Sequence, residues 1–186
     1  ANLTRGVTPP WPGSAGKRVF AYLKPHFRDF EKLLDALRRI DASVVVHAPG
    51  VADALRRKHS AGNVAFSADP VRMDAVCREC DAAICHAGVG TVESLLTAGK
   101  PLLLLPLQLE QMMTARRVHP LGASLLAGAD SIADYRHLLA RLLGEPSFTD
   151  AAREIARRHA GDDQEARVAR IADRCEELIA RAPAIA

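Results

Sequence analysis

Residues 81–111 constrain this chain more than any other stretch. A short apolar run, Ala82 to Cys85, reads as a buried strand that delivers His86 and the pair Gly88 and Gly90 into a turn. Thr91 through Ala98 reads as a helix stopped by Gly99, and Leu102 to Leu105 as the next parallel strand. A strand, a glycine turn and a helix N-terminus in succession make an anion site. Glycines let backbone N–H groups approach a phosphate closely, and the helix end carries partial positive charge. The candidate phosphate ligands are therefore His86, Gly88, Val89, Gly90 and Thr91; the Thr91 hydroxyl suits either an N-cap or a phosphate contact. Glu110 and Gln111 follow the next strand, at the same edge of the sheet.

The rest of the chain alternates strand and helix. Strands are predicted at 17–23, 43–47, 63–66, 82–85, 102–105 and 123–126. Helices are predicted at 28–40, 51–59, 70–80 with Pro70 in the first turn, 109–118, 131–143 with Ser131 as cap, about 150–159, and 163–181. Alternation of this kind gives an α/β, doubly wound domain of about six parallel strands with helices on both faces. In the strand order 3-2-1-4-5-6 the chain reverses between strands one and four, and ligands bind in the crevice at their carboxyl ends. That places Lys24 and the 86–91 turn on opposite lips of one crevice, with Lys24 as a counter-charge to a bound phosphate group.

At 186 residues the chain is long enough for one such domain with a full core. Residues 1–17, with Pro9, Pro10, Pro12, Gly13 and Gly16, read as a linker from a missing N-terminal domain, leaving 18–186 as the folded unit. A net charge of +3 from scattered arginines argues against a nucleic-acid partner. No apolar run approaches the roughly 20 residues of a membrane span, and the start lacks a signal-peptide pattern. Cys77 and Cys80 form a C-x-x-C with Cys85 close behind; no second ligand pair at zinc spacing follows, so these read as small apolar thiols and no metal site is expected. Reduced cysteines fit a cytoplasmic protein. Of the seven histidines, only His26 joins His86 near the crevice. A dinucleotide-binding reading is disfavoured, because the glycine turn follows the fourth strand and Glu93 holds the third glycine position.

The stretch resembles the donor-binding half of glycosyltransferases built from two Rossmann-like domains, the GT-B type, which includes the family-1 UDP- or dTDP-sugar transferases. The pattern His-x-Gly-x-Gly-Thr, a small-residue helix, Gly-x-Pro, an apolar strand and Pro-x-x-x-Glu-Gln is matched by His86, Gly88, Gly90, Thr91, Gly99, Pro101, Pro106, Glu110 and Gln111. The resemblance implies a C-terminal, Rossmann-like donor domain of an inverting nucleotide-sugar transferase. The diphosphate would lie at 86–91, with His86 stabilising the leaving group, and Glu110 and Gln111 would read the sugar hydroxyls. The acceptor site and general base would belong to an N-terminal domain, so this chain alone would be inactive, and no cofactor beyond the UDP- or dTDP-sugar donor is implied.

Two departures stand out. Ala68 and Val71 occupy places where plant-type members have Trp and Gln around Pro70, leaving the base to backbone groups and apolar contact near Ser67–Val71. The ribose-binding Glu of the pattern is Ser94 here, with Glu93 one residue, or about 100° of helix, away. Two alternatives remain: a nucleotide-binding auxiliary or regulatory module without transferase activity, and half of a GT-B-type sugar-nucleotide epimerase.

Overall fold

The computed structural model describes residues 4–13, 16–60, 62–127, 133–161 and 164–181. In chain order these form β1 (Lys17–Tyr22), α1 (Phe30–Leu37), β2 (Ala42–His47), α2 (Asp53–His59), β3 (Val64–Ser67), α3 (Met73–Glu79), β4 (Ala82–Cys85), α4 (Val89–Thr97), β5 (Leu102–Leu104), α5 (Leu109–Val118), β6 (Ser124–Leu126), α6 (Tyr135–Gly144), α7 (Pro146–Arg158) and α8 (Gln164–Arg181), with a 3-10 turn at His119–Leu121. The six strands lie in the order β3-β2-β1-β4-β5-β6, every pairing parallel. This is the doubly wound arrangement expected from the sequence, with its reversal between β1 and β4.

The central strands are apolar on both sides because helices cover both faces. Alternation along β1 and β4 divides the interior in two. Val19, Ala21 and Ile84 face a layer with Leu33, Leu34 and Leu37 of α1 and Leu139 and Leu142 of α6. Phe20, Ala83 and Cys85 face the other way, onto Val76 of α3 and Val92, Leu95 and Leu96 of α4. Cys80 and Cys85 are buried in this second layer and Cys77 sits at its margin; burial pushes the Cys80 thiol up to about 12 and that of Cys85 up to about 11. Unreactive, apolar thiols are what the sequence led one to expect.

Several boundaries differ from the sequence reading. α3 starts at Met73, not at Pro70, because residues 70–72 pair instead with the N-terminal segment: Val7 N–H donates to the Pro70 carbonyl at 2.8 Å and Arg72 N–H to the Val7 carbonyl at 2.9 Å. Gly6 runs so close to this loop that a Cβ there would lie 2.3 Å from the Pro70 oxygen. Trp11 then reaches α3, its Nε1–H donating to Glu79 at 2.7 Å. The expected cap Ser131 lies outside the described residues; α6 begins at Tyr135, where the Asp134 carboxylate accepts from His137 N–H. α4 starts two residues early, with Gly88 in the cap position. It ends as expected at Gly99, which has φ +72° and makes the paired bonds Gly99 N–H to Leu96 and Lys100 N–H to Leu95 that close a helix in a left-handed residue. The described side chains of α8, residues 168–181, are all exposed, including Val168, Ile171, Leu178 and Ile179.

Candidate functional site

The crevice forms where α1 and α4 leave the sheet on opposite faces. Its centre is the turn 86–88. Ala87 there has φ +59°, the one non-glycine residue with positive φ among the described residues, and it is fully buried. A buried left-handed alanine is held against a local cost of order 1–2 kcal/mol, and such conformations gather where a turn is shaped for use. It swings the chain from β4 into α4, so that the first helical N–H groups, those of Val89, Gly90 and Thr91, open at the sheet edge. No side chain caps this end. Thr91 is the third helical residue and so is not the cap.

Gly88 and Gly90 are informative because the fold does not require them. Gly88 has φ −65°, and a Cβ on either residue would meet nothing within 4 Å. Neither conformation nor internal packing asks for glycine, whereas close approach of a ligand to the backbone does.

His86 is 6% exposed and both its ring nitrogens are engaged by main chain. Lys24 N–H donates to Nε2 at 2.8 Å, and the ring contacts the Leu105 carbonyl through Nδ1 at 2.7 Å. An N–H donor on Nε2 and a carbonyl on Nδ1 fix the neutral tautomer with its proton on Nδ1. Burial pushes the His86 pKa below the ordinary 6.5; Lys24 and His26 push the same way, against the Leu105 carbonyl. Phe27 meets the ring edge-on at 5.6 Å and also packs on Tyr135, whose hydroxyl donates to Asp29 at 2.9 Å. His86 thus ties together the ends of β1, β4 and β5.

Lys24 stands on the facing lip. Its main chain holds His86 and its ammonium lies 5.8 Å from the centre of the Tyr22 ring. Past β5, Glu110 is exposed in the first turn of α5, and the Gln111 side-chain carbonyl accepts from Leu107 N–H at 2.9 Å. The Gln111 amide NH₂ is the half left to donate outward. The Ser94 hydroxyl is turned back onto the Gly90 carbonyl at 2.8 Å. Ala68 and Pro70 are exposed at the end of β3, while Val71 is buried in the core beneath its bridge to Val7, so its side chain gives no surface to a ligand. Lys24 and the 86–91 turn are brought together; Glu110 and Gln111 flank them on the β5 side, Ala68 and Pro70 on the β3 side.

Comparison with known proteins identifies the family and the fold. Residues 31–178 match the family model described as erythromycin biosynthesis protein CIII-like, C-terminal domain. The chain belongs to this family. It is 33% identical over 139 residues to the aclacinomycin-T 2-deoxy-L-fucose transferase of Streptomyces galilaeus, covering 70% of this chain and 30% of that one. It is 40% identical over 77 residues to the elloramycin glycosyltransferase ElmGT of Streptomyces olivaceus, covering 41% of this chain and 19% of the relative. Among solved structures, the glycosyltransferase VinC in complex with dTDP superposes with a TM-score of 0.75 at 26% identity, over 90% of this chain and 45% of VinC. The chain therefore spans less than half the length of these relatives. The resemblance drawn from the motif is to the right family, and the fold is that of the C-terminal half of GT-B glycosyltransferases.

The sequence reading missed two residues at this edge, Tyr22 and His47. They are the last residues of β1 and β2, and parallel register pairs them. Strand-end position was the available signal: in a parallel sheet the final residues of adjacent strands share the carboxyl edge, where ligands bind.

Proposed function

We propose that this chain is the donor-binding domain of a nucleotide-sugar-dependent glycosyltransferase, with dTDP- or UDP-sugar as its donor. The observation that carries the reading is the uncapped N-terminus of α4, opened by Ala87 and flanked by two glycines for which the fold itself has no use. Its backbone N–H groups suit a diphosphate, with Lys24 as counter-charge. VinC, which shares this fold, was solved with dTDP, and this supports the thymidine form.

In this reading the charge that builds on the leaving diphosphate is met by preoriented N–H donors at the helix end. His86 serves them by holding Lys24 and Leu105 in place, its nitrogens being committed to main chain. Gln111, through its amide NH₂, and Glu110, through its carboxylate, read the sugar hydroxyls. The base lies toward Ala68 and Pro70, the ribose near Ser94. No metal or cofactor enters this scheme. The acceptor and the general base belong to a second, N-terminal domain to which residues 1–17 lead; the length of the relatives and the exposed apolar residues of α8 support such a neighbour. Among the described residues no helix is long and apolar enough to cross a membrane, and the reading places the protein in the cytoplasm. Titration of the chain with dTDP, UDP and their sugars tests it: binding of either nucleotide with loss on altering Gly90 supports it, and absence of binding contradicts it.

A further inference from the structure

The edge of the sheet beyond Lys24, at the ends of β1 and β2, is not empty. Tyr22 and His47 are partners in register at the ends of β1 and β2, and His47 is in turn the partner of Ser67 at the end of β3. The Tyr22 and His47 rings stack at 5.5 Å with their planes 23° apart. The Lys24 ammonium lies against Tyr22 at 5.8 Å from the ring centre. A continuous floor thus runs from the glycine turn, past Lys24, Tyr22 and His47, to the Ser67–Pro70 loop. Its length is three inter-strand spacings, about 14 Å, a span that an extended nucleoside diphosphate bridges.

The chemistry of His47 is one-sided. Its Nδ1 faces the Ser67 carbonyl at 3.3 Å, so Nδ1 carries the proton and Nε2 is an acceptor. Nε2 makes no hydrogen bond within the described residues, and the side chain keeps 8% exposure at the sheet edge. A neutral imidazole with one nitrogen anchored and the other unused, stacked on a half-buried tyrosine, is suited to a ligand that has both a flat apolar face and a hydrogen-bond donor.

We infer that Tyr22 and His47 form the nucleoside subsite of the crevice: the Tyr22 ring supports the nucleoside, and His47 Nε2 accepts from a donor on it, the pyrimidine imide N–H or a sugar hydroxyl. This rests on the donor-site reading above and adds the two residues that hold the nucleoside end.

The test uses the 186-residue chain and calorimetric titration with dTDP and with inorganic pyrophosphate. His47→Asn keeps an N–H near the Nδ1 position for the Ser67 carbonyl and deletes Nε2; Tyr22→Leu removes the ring, and Tyr22→Phe keeps it. His47→Asn and Tyr22→Leu should each weaken dTDP about five- to tenfold, the loss expected for one hydrogen bond or one stacking contact. Tyr22→Phe should bind as the unaltered chain does, and pyrophosphate binding should not change in any variant. N3-methyl-dTDP and 3′-deoxy-dTDP identify the donor: the analogue lacking it binds the unaltered chain more weakly than dTDP does but is weakened no further by His47→Asn. Folded variants that bind dTDP unchanged, or that lose dTDP and pyrophosphate equally, overturn the subsite while leaving the diphosphate site standing. If the unaltered chain binds no dTDP, the donor-site reading falls and this subsite with it.

Discussion

The backbone N–H of Lys24 donates to Nε2 of His86 at 2.8 Å, across the switch point of the sheet. That bond fixes which His86 nitrogen carries the proton, and the Leu105 carbonyl takes it on the other side at 2.7 Å. The histidine of the motif is therefore a clamp on three strand ends, and in the proposed donor site the diphosphate is left to the N–H groups of α4. Replacing His86 with Ala strands a buried donor and a buried acceptor, at about 1–3 kcal/mol each. His86→Asn, which retains a donor toward Leu105, should lose about half as much. Urea unfolding of the two variants checks this order; equal stabilities for all three proteins would show that the clamp is without consequence.

The same burial gives a pH dependence. His47 and His86 both have pKa values pushed below the ordinary 6.5, chiefly by burial. Around His47 the Ser67 carbonyl and Asp69 oppose this and Lys24 adds to it; around His86, Lys24 and His26 add to it. The unfolded chain then binds more protons than the native one below about pH 6.5, so stability rises with pH there. The contribution is present in full above the unfolded value of 6.5 and is lost as pH falls through the lower folded values. Melting temperature should drop between pH 7 and pH 5, and less steeply in His86→Asn. An identical slope in that variant would remove His86 from the account.

Gln111 should separate sugar from nucleotide. Its carbonyl is spent on Leu107 N–H, and the NH₂ is the half that can donate to a bound sugar. Gln111→Ala should weaken a dTDP-sugar about three- to tenfold, the worth of one hydrogen bond, while dTDP itself changes by less than about twofold. Equal losses for both ligands in competition titrations would place Gln111 at the nucleotide instead.

The chain alone should not transfer sugar. Half a crevice stays open to water, which weakens the electrostatic stabilisation that transfer needs. Incubation with dTDP- and UDP-sugars and a broad acceptor panel should give no turnover; sustained turnover would require a base within this chain, with His26 the first to replace.

How much of this was legible in the sequence depends on what kind of signal each part leaves. Strand order and the crevice could be read because Val19–Ala21, Val44–Val46 and Leu102–Leu104 are apolar on both faces and separated by helical stretches. Gly88 and Gly90 were visible as residues, but only the structure shows that the fold does not need them. The start of α3 was misplaced because Pro70 suits a first helical turn, while its pairing with Val7 depends on a contact 63 residues away in sequence. The roles of His86 and His47 were hidden for a similar reason: what a histidine does depends on which nitrogen is taken, and the partners here are main-chain groups of Lys24, Leu105 and Ser67, which leave no trace in residue identity.

The central claim is that the N-terminus of α4 is a diphosphate site, and Gly90→Val tests it most directly. A Cβ at Gly90 meets nothing within 4 Å, so the variant should fold and melt with the unaltered protein. The unaltered chain should bind dTDP or UDP weakly, with Kd about 0.1–1 mM, or about 4–5 kcal/mol. In a folded Gly90→Val protein, calorimetry should show affinity reduced at least about tenfold, a loss of about 1.4 kcal/mol. Unchanged affinity in that folded variant would contradict the assignment.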